Sequence, residues 1–191
     1  MKKYKPTSPG RRGMTGILYR GVLTTSKPHK SLTRGVNRSV GRNSDGRITT
    51  RHKGGGHKRV WRDISFKYDK RDIPATIKTV EYDPNRSGFI SLVSYKDGEK
   101  RYVLLPKSVK VGDTVVASEN AEIKAGNSLP LNKIPVGTFV YNVEIKLGSG
   151  AKIARSAGNY AEIVANDSGF VHLKMPSSEV RKVSEKAWAS V

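Results

Sequence analysis

Short stretches of alternating apolar and polar residues recur along the last two thirds of the chain and predict β-strands. Residues 75–82, 89–95 and 101–105 are rich in β-branched and aromatic side chains, which strands favour. The links between them suit antiparallel pairing. Asp83-Pro84-Asn85-Arg86 fits a type I turn, with Arg86 at its end pointing off the body of the domain, and Asp97-Gly98 is a two-residue hairpin signal.

These strands, with a further one at residues 113–117, predict a small and mostly antiparallel β domain over residues 61–128. A second series of alternating stretches follows Pro130, at residues 138–146, 152–155, 160–165, 170–175 and 179–183. Several short strands in a short span suggest a compact barrel over residues 129–191, because closure removes exposed strand edges. No long stretch has a 3.6-residue apolar period, so little helix is expected.

Residues 1–60 differ in composition from the rest of the chain. The chain has 191 residues and a net charge of +20. Its first 60 residues hold 16 Lys and Arg and one acidic residue, Asp45. They are also poor in apolar side chains and interrupted by Pro and Gly, so they cannot bury enough surface to offset their chain entropy. We predict an extended basic arm that is disordered alone and becomes ordered only against an anionic partner.

An organelle transit peptide is also basic, rich in hydroxyl groups and poor in acids. Against that interpretation, Pro6, Pro9 and Gly10 would interrupt the amphipathic helix that such peptides form. The basic bias also runs past residue 50, which is long for a leader sequence.

Several kinds of chemistry are disfavoured by the residues present. With no Cys there is no disulfide, thiolate zinc site or cysteine nucleophile. Gly54-Gly55-Gly56-His57-Lys58-Arg59 lacks the spacing of a nucleotide-binding P-loop. His52 and His57 have no further ligands nearby in sequence, and no run of apolar residues is long enough to span a membrane. No cofactor is expected.

The arm mixes Arg and Lys with Gly and hydroxyl residues between Gly41 and Arg59. Arg makes bidentate hydrogen bonds to phosphate and stacks on bases, and Gly lets a backbone approach a phosphate closely. Such segments commonly fold on binding RNA. Composition alone fits a second interpretation equally well, which is a flexible basic tail that binds any polyanion loosely. Lys152 and Arg155 lie among small residues that would also admit a nucleic-acid backbone, and tight packing in a turn is the alternative reason for those small residues.

Several longer motifs carry a resemblance to a known family. They include Lys5-Pro6-Thr7-Ser8-Pro9-Gly10-Arg11-Arg12, Gly46-Arg47-Ile48-Thr49-Thr50-Arg51-His52, Glu81-Tyr82-Asp83-Pro84-Asn85-Arg86-Ser87 and Ala154-Arg155-Ser156-Ala157-Gly158. In this order they resemble the universal L-two family of large-subunit ribosomal proteins in its bacterial form. The resemblance covers nearly the whole chain and is weakest at residues 14–40.

The resemblance implies a mostly β fold: an oligonucleotide-binding-fold-like barrel, then an SH3-like barrel, preceded by the arm. It implies direct binding to large-subunit, 23S-type rRNA, support of subunit assembly and association near the peptidyl-transferase region, and no enzymatic activity. The implied partners are this rRNA, neighbouring ribosomal proteins and the small subunit, in a cytoplasmic ribosome in preference to an organellar one. Mg²⁺ is expected only through the rRNA.

The candidate rRNA-binding residues combine this resemblance with the charge pattern. The side chains are Arg11, Arg12, Arg42, Arg47, Arg51, His52, Lys53, His57, Lys58, Arg59, Arg86, Lys152 and Arg155. Close approach of RNA to the backbone is predicted at Gly54, Gly55, Gly56 and Gly158.

One departure from the family pattern concerns the C-terminal side. Family members usually continue into a long basic extension with a Gly-rich segment that contains a His, and this sequence does not include it. His172 does not match that motif. Two other functions stay open: a free single-strand nucleic-acid binder, which the low aromatic content of 7% disfavours, and a nucleic-acid-processing enzyme, for which no catalytic constellation is found.

Overall fold

A computed structural model describes all residues from Met1 to Val191. The strands are β1 (Lys2–Lys3), β2 (Thr15–Gly16), β3 (Thr33–Gly35), β4 (Val60–Arg62), β5 (Ala75–Glu81), β6 (Ile90–Tyr95), β7 (Lys100–Leu104), β8 (Thr114–Val115), β9 (Ser128–Pro130), β10 (Phe139–Val140), β11 (Val143–Glu144), β12 (Ala151–Ile153), β13 (Ala161–Asp167), β14 (Phe170–Lys174), β15 (Val180–Ser184) and β16 (Trp188–Ser190). Helical structure is limited to α1 (Pro9–Arg12) and the 3₁₀ turns Tyr19–Gly21, Lys30–Leu32 and Leu131–Lys133. The prediction of a mostly β chain with little helix is confirmed.

The first β unit is a four-stranded antiparallel sheet in the order β7-β6-β5-β8, curled into a half-barrel. Its central strand β6 is buried on both faces, because apolar residues cover it on each side. Ile90 and Leu92 pack with Tyr102 in one cluster, and Val93 packs with Ile77 in another. Strand β6 therefore divides the interior of this unit between two small clusters.

The second β unit has the larger core. Its sheet has the order β10-β13-β14-β15, and the short pairs β11–β12 and β9–β16 complete the unit. Thirteen buried apolar residues form one contiguous cluster there. Alternation along β14 explains how the sheet contributes to it: Val171 and Leu173 are fully buried, and Phe170 and Lys174 are exposed.

The strand predicted over residues 138–146 is wrong in its extent. The structure breaks it into β10 and β11, with Asn142 between them in the left-handed region at φ 56°. Asn tolerates this conformation better than most residues, and it redirects the chain. Strand β10 pairs with β13, whereas β11 pairs with β12. The change of direction therefore ends the pairing with β13 and begins the pairing with β12.

Part of the arm packs against the first β unit. The Thr24 N–H donates to the Val80 carbonyl, and the Thr24 hydroxyl accepts from the Val80 N–H, so this segment covers an edge of β5. Tyr19 packs edge-on against Tyr82, with ring centroids 5.3 Å apart. Strand β3 pairs with β4.

Tyr102 provides a buried anchor for the same segment. Its hydroxyl accepts from the His29 N–H at 2.7 Å and donates to Glu81 Oε2 at 2.6 Å. Burial and the hydrogen bond to the Glu81 carboxylate raise the pKa of Tyr102, so this phenol keeps its proton. The arm is therefore tied to the first unit along residues 19–35.

The predicted division into 1–60, 61–128 and 129–191 stays a prediction. Strand β9 begins at Ser128, and the hydroxyls of Ser128 and Ser190 are 2.8 Å apart.

Strand β16, which the sequence pattern did not predict, is only three residues long and buried throughout. It has no alternation to reveal it, because both of its faces are covered.

Candidate nucleic-acid interface

The two β units meet where the turn after β5 contacts the loop after β12. The Ala157 N–H donates to Ser87 Oγ at 3.1 Å across this contact. Phe66, which precedes β5, lies beside both elements, and its carbonyl accepts from the Ala151 N–H at 2.8 Å. We refer to residues 66, 83–88 and 151–158 as the junction.

Gly150 makes the close contact at Phe66 possible. Its φ of +75° favours glycine, and a Cβ at this position would lie 2.8 Å from the Phe66 carbonyl oxygen. The Gly150 N–H donates to the buried Glu144 carboxylate at 3.1 Å, and the Trp188 N–H donates to the other oxygen of that carboxylate at 3.3 Å. These contacts fix the start of β12 against the first unit.

Arg86 lies in the junction and is held by the turn that carries it. Its Nε donates to Asp83 Oδ2 at 2.6 Å, and the Asp83 side chain is fully buried. Asp83 Oδ1 accepts from the Asn85 N–H at 2.9 Å. The prediction that Arg86 points off the body of the domain is therefore wrong, because a buried carboxylate needs a cationic partner and Arg86 supplies it.

Arg155 reaches the same place from the second unit. Its guanidinium lies 4.3 Å from the centroid of the Phe66 ring, and that of Arg86 lies 5.7 Å from it. Arg155 is exposed and forms no ion pair, and its Nη1 donates to the Ala151 carbonyl at 3.4 Å. One aromatic ring thus positions two arginines from two β units, and the guanidinium of Arg155 keeps donors free for phosphate.

Lys152 and Gly158 flank Arg155. Lys152 is exposed on β12, between the buried Ala151 and Ile153. Gly158 has φ +75°, and no atom outside its neighbours lies within 4 Å of where its Cβ would be. The surface beside Arg155 is therefore open to a bulky ligand.

A second candidate surface lies in the arm, where residues 41–50 form a compact loop. Arg42 bridges to Ile48, and Asn43 Oδ1 accepts from the N–H groups of Asp45 at 3.1 Å and Arg47 at 2.9 Å. The Thr49 and Thr50 N–H groups donate to the Gly41 carbonyl and close the loop. Only glycine fits at position 41, because a Cβ there would lie 2.2 Å from the Thr50 carbonyl oxygen. The exposed side chains of Arg42 and Arg47 thus project from a local fold that the sequence pattern did not predict.

The basic residues after this loop are all exposed: Arg51, His52, Lys53, His57, Lys58 and Arg59. Gly54, Gly55 and Gly56 among them are also exposed, and Gly55 and Gly56 have positive φ. Arg38, which was not predicted, donates from Nη1 to the Gly55 carbonyl at 2.8 Å. This hydrogen bond could not be predicted from the sequence, because Arg38 and Gly55 are 17 positions apart.

Arg11 and Arg12 lie on the single turn of α1 and are exposed. The Arg11 guanidinium lies 5.9 Å from the Tyr4 ring. The candidate residues thus form three groups, on α1, on residues 42–59 and at the junction. In the last group the structure brings Arg86 and Arg155 together at the Phe66 ring, and Lys152 lies exposed on the adjoining β12. Phe66 was missed, since a lone aromatic residue before a strand carries no functional signal.

Tyr68 also connects the two units, through a hydrogen bond and a stacked ring. The Tyr68 hydroxyl donates to the Asn142 carbonyl, and its ring stacks on Trp188 with centroids 5.8 Å apart. Burial raises the pKa of Tyr68, so the hydroxyl remains a donor. No helix is long and apolar enough to cross a membrane, and no group of three or more His, Cys, Asp or Glu could hold a metal ion.

Comparison with known proteins identifies the family of this chain. Residues 29–117 match the family described as Ribosomal Proteins L2, RNA binding N-terminal domain, and residues 124–191 match the Ribosomal Proteins L2, C-terminal domain. The large ribosomal subunit protein uL2 of Roseobacter denitrificans is 48% identical over 191 residues, which are 100% of this chain and 68% of that protein. The family is a structural one of the ribosome and not a family of enzymes. The resemblance seen in the sequence is confirmed, and the chain belongs to the ribosomal protein L2 (uL2) family.

Proposed function

We propose that this chain, as a protein of the large ribosomal subunit, binds 23S-type rRNA directly through two surfaces. The first is the junction, with Arg86, Lys152 and Arg155. The second is the arm, with α1 and residues 42–59. The observation that carries the proposal is that Arg86 and Arg155, which belong to different β units, lie against the same Phe66 ring.

The junction acts as a prearranged phosphate site. Arg155 presents a planar fork of donors that matches phosphate oxygens, and the ring beneath limits its motion. Arg86 adds positive charge, although its Nε is already used by Asp83. A ligand that engages both would connect the two units, so rRNA binding would fix their relative position.

The arm supplies most of the electrostatic affinity. Each phosphate that it neutralises releases counterions, so binding becomes weaker as salt rises, by about 0.7–0.9 in log–log slope per phosphate. The ordered loop at residues 41–50 lowers the entropic cost of binding, because part of the arm is already in one conformation.

Larger roles follow from this binding. The chain would support assembly of the large subunit and its association with the small subunit, near the peptidyl-transferase region and beside neighbouring ribosomal proteins. Its place would be the ribosome of the cytoplasm. The chemistry of that region would belong to the RNA, and any Mg²⁺ near the chain would be held by rRNA.

Cosedimentation and a binding titration test the proposal. We expect about one copy in each salt-washed large subunit, and selective binding of a large-subunit rRNA transcript over poly(U) of equal length. Absence from washed particles, or equal affinity for both RNAs, would point to a free single-strand binder instead. Mg²⁺-dependent cleavage of the transcript would indicate a nucleic-acid-processing enzyme.

Arg155→Ala tests the junction itself. We expect weaker binding to the transcript and a salt slope reduced by about 0.7–0.9, which is the loss of one phosphate contact. Arg181→Ala is the matched control, because Arg181 is half exposed on β15 and distant in sequence from the junction. Equal effects of the two substitutions would remove the junction from the proposed interface.

A further inference from the structure

Two exposed aromatic side chains lie side by side on the outer face of the second unit. Val140 and Ala161 pair across β10 and β13 and are buried, so their neighbours Phe139 and Tyr160 face outward. Phe139 is 55% exposed and Tyr160 is 52% exposed. Their ring centroids are 4.7 Å apart with an interplanar angle of 63°.

These rings line a groove of about 1300 Å³ that runs from the junction to the arm. Apolar side chains such as Val22 and Val111 form other parts of its wall. The charged residues that line it are Lys107, Lys110 and Arg155, and all three are cations. An occupant that combines flat apolar groups with negative charge matches this lining.

An unpaired nucleotide has both properties. A base can stack on an exposed aromatic ring whatever its identity, and the phosphate that follows it can meet a nearby Lys or Arg. Exposed Gly158 lies between Arg155 and Tyr160 in the same wall, and no atom fills the space beside its Cα. A sugar-phosphate backbone can thus pass close to the protein there.

We propose that Phe139 and Tyr160 form a stacking platform for an unpaired base of the rRNA, whose flanking phosphates are held by Arg155, Lys107 and Lys110. The inference rests on the proposed rRNA binding at the junction and extends that site into the groove. The platform adds affinity without adding charge. A peptide of a neighbouring protein is disfavoured as the occupant, since only cations accompany the apolar wall.

Substitutions that remove the rings test the platform. Phe139→Leu and Tyr160→Leu keep apolar bulk but lose the flat stacking surface. With the large-subunit rRNA transcript as probe, we expect each to raise Kd about fivefold to a hundredfold, the range for loss of one stacked base. The slope of log K against log salt should stay that of the unsubstituted chain, whereas Arg155→Ala should lower it.

Matched variants separate stacking from general damage. Phe170→Leu removes an aromatic residue that is 49% exposed on β14 of the same sheet and does not line the groove, so its Kd should not change. Phe139→Tyr and Tyr160→Phe keep the rings and should bind as the unsubstituted chain does. Unchanged Kd in both leucine variants would overturn the platform while leaving rRNA binding at the junction intact.

A crosslinking experiment identifies the occupant directly. With p-azidophenylalanine at position 139 in assembled large subunits, we expect a crosslink to a nucleotide that is unpaired in the rRNA. A crosslink to another protein, or to a paired helix, would overturn the proposal. Failure of the unsubstituted chain to bind the transcript at all would instead count against the proposed function.

Discussion

At the scale of single residues, Arg86 serves two purposes at once. It neutralises Asp83, whose side chain is fully buried, and it lies 5.7 Å from the Phe66 ring at the junction. Arg155 does not neutralise a buried carboxylate, because it is exposed and forms no ion pair. The two arginines should therefore respond differently to substitution, although both are candidates for the same rRNA contact.

Replacing Arg86 should affect both stability and binding. Arg86→Ala leaves the Asp83 carboxylate buried without its cation, and we expect a loss of about 2–3 kcal/mol in the free energy of unfolding. The rRNA affinity should fall as well. Urea denaturation and filter binding measure the two effects separately.

The double variant Asp83→Asn with Arg86→Ala separates these effects. Asn keeps the oxygen that accepts from the Asn85 N–H and removes the buried charge. We expect it to recover part of the stability lost in Arg86→Ala and none of the rRNA affinity. Stability equal to that of the unsubstituted chain in Arg86→Ala alone would show that the ion pair contributes nothing.

At the scale of elements, a network of ion pairs ties the segment before β5 to the β6–β7 hairpin. Arg101 donates to Asp69 and to Glu99 at 2.6 Å each, and Lys70 pairs with Asp97 and Glu99. The hydrogen bond from Arg101 lowers the pKa of Asp69, and the hydrogen bond from Lys70 lowers that of Asp97. Arg101 and Lys70 together lower the pKa of Glu99.

This network predicts a dependence of stability on pH. The pKa values of these carboxyl groups are lower in the folded chain than in the unfolded chain. The contribution of the network to the free energy of unfolding is therefore fully present above about pH 5 and is lost as the pH falls through the lowered values. We expect Arg101→Ala to make the decline of unfolding free energy from pH 5 to pH 2 shallower. Urea denaturation across this range measures it, and Arg181→Ala, which breaks a half-exposed pair in the second unit, should keep the original decline.

The loop at residues 41–50 gives a test of preorganisation. In Gly41→Ala the new Cβ would lie 2.2 Å from the Thr50 carbonyl oxygen, so the loop must open. Overall stability should hardly change, because the loop residues contribute nothing to the core clusters. We expect a weaker rRNA complex and faster amide exchange at Thr49 and Thr50, whose N–H groups donate to Gly41.

Gly46→Ala is the control for that loop. Gly46 also has positive φ, at +77°, but no atom lies within 4 Å of where its Cβ would be. The cost there is backbone strain alone, on the order of 1 kcal/mol. Equal losses of affinity in the two variants would mean that the closed loop is not the binding form.

The alternation of apolar and polar residues along the chain predicts most of the long strands. Contacts between residues that are far apart in sequence leave no such local pattern and could not be predicted. Alternation located β5, β6 and β14 because one or both of their faces meet a core. The break at Asn142 was missed, since it depends on which strand pairs with each half. The predicted arginines include the two that meet at Phe66, but the ring itself is recognisable only when both units are in place.

At the scale of the whole molecule, the charge and the core lie in different parts of the chain. The three apolar clusters lie in residues 64–189, and the arm carries most of the excess positive charge. Within the arm, residues 19–35 contact the first β unit through Tyr19, Thr24 and His29. Residues 41–50 form their own closed loop. The other arm residues meet solvent, and we expect their conformation to depend on rRNA.

Limited digestion with trypsin tests this division. In the free chain we expect the first cuts after Arg51, Lys53 and Lys58, which are exposed, follow the closed loop and belong to no core cluster. Cuts after Lys30 and Arg34 should be slower, because the His29 N–H is bound to Tyr102 and β3 is paired with β4. Mass spectrometry of the fragments gives the order of cleavage.

The rRNA transcript should protect the whole arm, whereas heparin at equal charge should protect it less, since a generic polyanion cannot match the fixed positions of the loop and the junction. Equal protection by heparin would mean that the arm binds by charge alone, and the shape of the molecule would then contribute nothing to its choice of RNA.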